Sequence, residues 1–277
     1  MTWRLLNYRS NSAFENMAID EAVFQETIKN KRPPTLRFYG WRRPAVSIGY
    51  FQRLKDEVNF NRCRLSGVDI IRRITGGKAV YHRDEMTYSL AAGNSEKLFP
   101  DTIIGTYEII SLCLAHGLSE LGIKAHLTKA GSGASGKKPD RTSCCFSVPS
   151  GNELLVGGRK ICGSAQMRAH GGFLQHGSLL MTFDPVETAA LILTAQATDP
   201  TEKLRRSVTA VNEVIPSPVS AETLCAVLQK GFIDELGIGL SEGLLTPAEK
   251  ALSSQLVKKY ESDAWNWERK RDAFKSG

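Results

Sequence analysis

Long apolar runs are missing from this 277-residue chain. None approaches the ~18 residues that a membrane-spanning helix needs, so no membrane partner is expected. The opening residues, MTWRLLNYRSNSAFEN, lack the charged-then-apolar layout of a secretory signal, and the expected location is the cytoplasm. The six cysteines include no CxxC pair and no zinc-ligand spacing. No metal is therefore expected, and most of the thiols should be reduced and buried as small hydrophobes. No internal repeat is visible. With 42% hydrophobic and 23% charged residues, 24 Gly and 11 Pro, the composition is globular and excludes disorder, collagen and coiled coil. A basic stripe with interleaved aromatics is also absent. The net charge of +7 is spread along the chain in short runs such as Arg42-Arg43 and Arg205-Arg206. Acidic protein partners thus rank above nucleic acid, and no nucleic-acid partner is expected.

Ser12 and Glu15 have the spacing of a capping box. With Phe14, Met17, Ala18, Ala22 and Ile28 at helical spacing, broken only by Glu21, they predict a helix over 13–30 that stops before Pro33-Pro34. Segments 35–40, 45–50, 68–73, 78–82 and 86–92 read as strands. A second helix fits 102–121, with Ile103, Ile104, Tyr107, Ile110, Leu114, Leu118 and Leu121 on one face. After a Gly/Ser/Lys-rich loop at 129–143, strands are expected at 144–148, 153–157, 159–162 and 173–182, and helices at 185–195, 220–236 and 247–260. Strands and helices do not alternate as βαβ units. The expected class is α+β, with helices flanking a mixed, mainly antiparallel sheet.

Residues 131–138 (GSGASGKK) satisfy two phosphate-loop patterns. Both need a helix to follow, yet Lys138 occupies the magnesium-binding position and Pro139 opens no helical periodicity. Compositional bias explains the match, and the segment reads as a surface loop. The segment RRITGGKAVYH at 72–82 is different. Gly76 and Gly77 let backbone N–H groups approach a ligand, and Arg73 and Thr75 add donors. A plain hairpin turn with two solvated arginines explains the residues equally well.

Cys144 and Cys145 follow the polar loop. In an extended segment their side chains point to opposite faces. Lys160 lies 15 residues after Cys145, and two adjacent strands would bring the pair together. A neighbouring ammonium stabilises a thiolate, which makes Cys145–Lys160 a candidate dyad for acyl transfer. A core cysteine is the alternative. His82 and His176 are either bases or hydrogen-bonded structural residues.

RRITGGKAVYHRDEMTYS, GRKICGSAQMR and QHGSLL, in this order and spacing, resemble the lipoate–protein ligase and octanoyltransferase superfamily. The likeness runs from about Thr35 to Glu213 and extends to FENMAIDEA and KYESDAWNW. It is closest to the LipM type, which carries C-F-x-x-P-S ahead of G-R-K, as Cys145, Phe146, Pro149 and Ser150 do here. The resemblance implies a biotin/lipoate-ligase-like catalytic domain over 1–277, with a core at about 31–216 and a C-terminal helical extension at 217–277. It implies an enzyme that moves an octanoyl group from octanoyl-acyl carrier protein to the lipoyl-domain lysine of the glycine cleavage H protein, without a cofactor. Cys145 would carry the acyl group as a thioester. Lys160 would lower the thiol's pKa and contact the acyl carbonyl. Arg73, Thr75, Gly76, Gly77, Ala79, His82, Gly163 and His176 would form the substrate site, with Val80 and Ile161 along the acyl channel. An ATP-dependent lipoate ligase and an amidotransferase acting between lipoyl proteins are the alternatives in the same superfamily. A non-catalytic nucleic-acid-binding regulator is a further alternative.

Overall fold

The computed structural model describes residues 1–128, 153–193 and 199–269. The expected capping box forms: the Glu15 amide donates to Ser12 Oγ (3.2 Å) and the Ser12 amide donates to Glu15 Oε2 (2.8 Å). Helix α1 (Ala13–Lys29) starts there. It follows strand β1 (Thr2–Asn11) and leads to β2 (Thr35–Trp41), β3 (Ala45–Ile48), α2 (Leu54–Glu57), α3 (Phe60–Leu65), β4 (Asp69–Arg72), β5 (Val80–His82) and β6 (Glu85–Gly93). Next come α4 (Ile103–Ser119), β7 (His126–Leu127), β8 (Leu154–Val156), β9 (Arg159–Ala169) and β10 (Gly172–Leu180). The remaining elements are α5 (Pro185–Leu191), α6 (Pro200–Ser207), α7 (Val211–Val214), α8 (Ala221–Leu236), β11 (Gly239–Glu242), α9 (Pro247–Glu261) and α10 (Asp263–Asn266).

Among the described residues the main sheet has eight strands in the order β11-β1-β2-β6-β10-β9-β8-β7, and a second sheet has the order β4-β3-β5. In the main sheet β1 runs parallel to β11 and β2, and every other neighbouring pair is antiparallel. The fold is α+β with a mixed, largely antiparallel sheet, as expected, but the expected lack of βαβ units does not hold: α1 joins the parallel neighbours β1 and β2, and α2 and α3 join the parallel neighbours β3 and β4. Alternation along the strands sorts the two faces. Leu36, Phe38, Met86, Tyr88, Leu90 and Phe173 enter the main core with α4 and α8. Arg37, Tyr39, Glu85, Thr87, Ser89, His176 and Ser178 occupy the alternate positions, yet they too are buried. That polar face is covered by α1 and the small sheet, and it positions the site.

Two elements also differ from the expectation. Residues 2–11, unassigned there, form β1, with Trp3 and Leu5 directed into the core. The face expected for α4 holds at Ile110, Leu114 and Leu118, whereas Ile103 and Ile104 are 52% exposed. The reason lies at the α4–α8 crossing. A Cβ on Gly117 would come within 2.6 Å of the Val227 carbonyl, and one on Gly231 within 2.2 Å of the Cys113 carbonyl. The two glycines let the helices approach along the Cys113–Gly117 stripe and leave the first turn outside.

The C-terminal elements are tied into the body. Lys259 and Tyr260 of α9 donate to Glu21 of α1. The Arg72 guanidinium donates to the carbonyls of Gly49, Tyr50 and Gln52 on one side and of Trp265 and Asn266 on the other. Among the described residues no helix is long and apolar enough to cross a membrane.

Candidate active site

A cleft of about 400 Å³, including its open mouth, lies between the polar sheet face, α1 and the 73–82 segment. Its walls include Met17 from α1, Tyr39 and Trp41 from β2, Gly163 to Ala165 from β9, and His176 to Ser178 from β10. Arg73, Gly77, Val80 and His82 close it from the small sheet.

The 72–82 segment is not a hairpin. β4 and β5 pair with β3 rather than with each other, and neither arginine is solvated: Arg72 is 0% and Arg73 4% exposed. Arg73 Nη2 donates to the Gly76 and Lys78 carbonyls (3.0 Å each), so one guanidinium holds the glycine loop in shape. Gly77 takes φ +90°, a region open to glycine. The loop also rests on Gly49, where a Cβ would fall 2.0 Å from the Gly77 carbonyl oxygen.

Two buried carboxylates anchor the polar wall. Asp20 accepts from Arg37 (2.6 Å), Tyr39 (2.8 Å) and Ser89 (2.8 Å), and from His176 Nδ1 (3.3 Å). Because a carboxylate only accepts, His176 carries its proton on Nδ1, and Nε2 accepts from the Thr75 hydroxyl (2.7 Å). Burial pushes the Asp20 carboxyl up, but Arg37 and the His176 bond outweigh it and leave it below its ordinary value. Burial also pulls His176 down, against the opposing pull of Asp20, so the ring is neutral at pH 7. The second carboxylate, Glu85, accepts from His82 Nδ1 (2.9 Å), Trp41 Nε1 (3.0 Å), Thr87 (2.5 Å) and Ser178. Its burial is likewise outweighed, chiefly by His82, and its carboxyl lies below the usual value. His82 Nε2 accepts from Ser47 Oγ (2.5 Å), which in turn accepts from Arg73 Nη1 (2.6 Å). Trp41 stacks on His82 with ring centroids 3.9 Å apart.

The residues expected from the sequence therefore fall into three groups. Arg73, Gly77, His82, Gly163 and His176 line the cleft. Thr75 and Gly76 lie behind it, bonded to His176 and Arg73. Ala79 packs with Val46 and Leu180 in an apolar cluster, away from the lining. Val80 reaches the cleft, whereas Ile161 belongs to the main core. Lys160 sits on β9, three residues before Gly163, 3% exposed, with Nζ 2.6 Å from Glu153 Oε1. Cys144, Cys145, the 131–138 loop and the 144–148 strand lie outside the described residues. The four described cysteines are buried. Burial pushes Cys63 up to about 11 and Cys162 up to about 12, and also raises Cys113 and Cys225. None of these four is a thiolate at neutral pH. Among the described residues no three His, Cys, Asp or Glu side chains gather to hold a metal ion.

Asp20, Glu85 and Ser47 were not found from sequence. Asp20 carried a usable signal: it lies three residues after Met17, on the inward face of α1, where a carboxylate requires a buried partner. Residues 12–233 match the family described as lipoyl protein ligase A/B catalytic domain. The chain belongs to this family. Among lipoyl ligase A/B relatives, octanoyltransferase LipM of Kyrpidia tusciae is 40% identical over 271 residues, covering 96% of this chain and 98% of its own. Octanoyltransferase LipM of Symbiobacterium thermophilum is 41% identical over 270 residues, covering 95% and 97%. The solved structure of lipoate-protein ligase A bound with ATP is similar at a TM-score of 0.79 and 26% identity, covering 96% of this chain and 99% of that one.

Proposed function

We propose that the chain transfers an octanoyl group from octanoyl-acyl carrier protein to the lipoyl-domain lysine of the glycine cleavage H protein, through a thioester on Cys145. The observation that carries this reading is the identity of about 40%, nearly end to end, with octanoyltransferases named LipM.

In the first half-reaction the Cys145 thiolate attacks the thioester carbonyl carbon. A new C–S bond forms to Cys145 and the bond to the carrier sulfur breaks. The Lys160 ammonium gives a proton to the departing thiolate. In the second half-reaction the acceptor amine attacks the Cys145 thioester, a C–N bond forms and the C–Sγ bond breaks. Lys160 takes up the proton that the amine loses, so both groups return to their starting states. Thioester to amide is downhill, and no ATP is consumed. Glu153 accepts from Lys160 Nζ at 2.6 Å and holds its side chain in place. The Gly76–Gly77 loop offers backbone donors to the oxyanion. The apolar walls of the cleft bind the acyl chain, and each methylene buried is worth about 0.8 kcal/mol, so depth selects chain length.

The test is intact-protein mass spectrometry after mixing with octanoyl-acyl carrier protein. The expected result is one octanoyl adduct, removed by hydroxylamine and absent in Cys145→Ala. The likeness to an ATP-bound ligase favours a second reading, acyl-adenylate formation. It predicts pyrophosphate release from ATP and lipoate that persists in Cys145→Ala. An octanoyl adduct formed from octanoylated H protein but not from the carrier protein would instead assign an amidotransferase.

A further inference from the structure

Beside the cleft the surface changes character. Phe51 is 75% exposed, Phe60 44% and Trp267 43%. Phe60 meets Trp267 edge-on, with centroids 5.3 Å apart. The loop carrying Phe51 and the segment carrying Trp267 are drawn together by Arg72, which donates at once to the Gln52 and Asn266 carbonyls. Arg64 lies one turn beyond Phe60 and shares its helix face. Arg53 and Arg269 flank the aromatics. The exposed charges of residues 51–56, 60–66 and 267–269 are five cations against two anions. Scattered exposed apolar residues are ordinary, but aromatics clustered with arginines are the composition of an interface.

The position is as informative as the composition. The Tyr50 amide donates to the Thr75 carbonyl (2.8 Å), and Gly49 touches Gly77. The patch thus begins at the loop that closes the cleft. A partner docked here presents its surface to the mouth. A lysine side chain has only a four-carbon stem, so the domain that supplies the acceptor lysine must sit at the mouth itself. The carrier protein delivers its thioester on a much longer arm and can stand further off.

We propose that the Phe51–Phe60–Trp267 face, with Arg53, Arg64 and Arg269, is the docking surface for the acidic lipoyl domain that presents the acceptor lysine. This rests on the transfer reading above for the identity of the partner. Charge opposition supplies orientation and rate, and the aromatics supply the dry contact.

The test measures binding of unmodified H protein to the full-length chain by calorimetry, at low and at raised salt. Arg53→Glu/Arg64→Glu is expected to weaken binding at least about tenfold at low salt and to reduce its salt dependence. Phe51→Ser should weaken it comparably. Lys29→Glu/Arg32→Glu, the same charge change at the far end of α1, should leave it unaltered. Octanoyl loading from the carrier protein should stay within about twofold of wild type in all three, because their substitutions lie outside the cleft. Equal binding by wild type and the Arg53/Arg64 variant, or no binding by wild type, overturns the proposal. So does a loss of loading with acceptor binding kept, which would assign the face to the carrier. If wild type never loads octanoate, the transfer reading fails, while the binding comparison still decides the docking face.

Discussion

Gly49→Ala adds one carbon atom where the main chain of the cleft loop crosses. Its Cβ would lie 2.0 Å from the Gly77 carbonyl oxygen, 2.9 Å from the Gly77 carbonyl carbon and 3.0 Å from that of Gly76. All three neighbours are backbone, so none can rotate away, and the loop must move by an ångström or more. Overpacking of this kind costs about 1–3 kcal/mol. At roughly 2–4 °C per kcal/mol for a chain of this size, Tm should fall by about 2–12 °C. The larger effect is on rate. The loop is held by Arg73 over the cleft, and a misplacement of about 1 Å can cost of order a hundredfold in catalysis. Gly76→Ala is the matched control: its Cβ would meet nothing within 4 Å, so stability should change by less than about 0.5 kcal/mol. The assays are thermal unfolding by circular dichroism and the rate of octanoyl adduct formation. If Gly49→Ala unfolds and loads octanoate like wild type while Gly76→Ala does not, the account of how this loop is supported is wrong.

Replacing Lys160 by Met removes one member of a buried ion pair, which costs about 3–5 kcal/mol in a urea titration. It should also slow alkylation of Cys145 at neutral pH; an unchanged rate would detach Lys160 from the thiol. Asp20 and Glu85 both have carboxyls held below their ordinary values. Their contribution to stability is therefore fully present above about pH 4–5 and is lost as pH falls through the depressed folded values. Urea midpoints measured from pH 7 to pH 3 should show this decline, and Asp20→Asn should flatten it. Arg72→Lys replaces a five-donor fork by an ammonium with three. At about 0.5–1.5 kcal/mol per lost bond, it should lower stability by at least about 1 kcal/mol. It should also alter the fluorescence of Trp265, whose Nε1 donates to the Arg72 carbonyl.

The parts legible in the sequence are those with local signatures. Ser12 and Glu15 announce α1 because a capping box is closed within four residues. The order of RRITGGKAVYH, GRKICGSAQMR and QHGSLL identifies the residues that converge from the small sheet, β9 and β10. The carboxylates escaped because their meaning is tertiary: Asp20 is an ordinary helix acid until Arg37, Tyr39 and His176 arrive from other strands. Ser47 has the same history, since its two partners, Arg73 and His82, lie 26 and 35 residues away. β1 was overlooked because its parallel partners, β2 and β11, are remote and its outer half alternates poorly, with Tyr8, Arg9 and Ser10 all partly or fully exposed. The first turn of α4 misled for the opposite reason. Its isoleucines fit the periodicity, but the glycines of the α4–α8 crossing determine where that helix is covered.

The clasp made by Arg72 also has a consequence during synthesis. Residues 265 and 266 leave the ribosome long after β4 and the 49–52 turn, yet their carbonyls satisfy the same guanidinium. Until they emerge, the nascent polypeptide holds a charged side chain without its full set of acceptors, directly before the arginine that shapes the cleft. The support beneath the cleft loop is therefore completed only once residues 265 and 266 have been made, so the order of synthesis sets the order in which the cleft gains its rigidity.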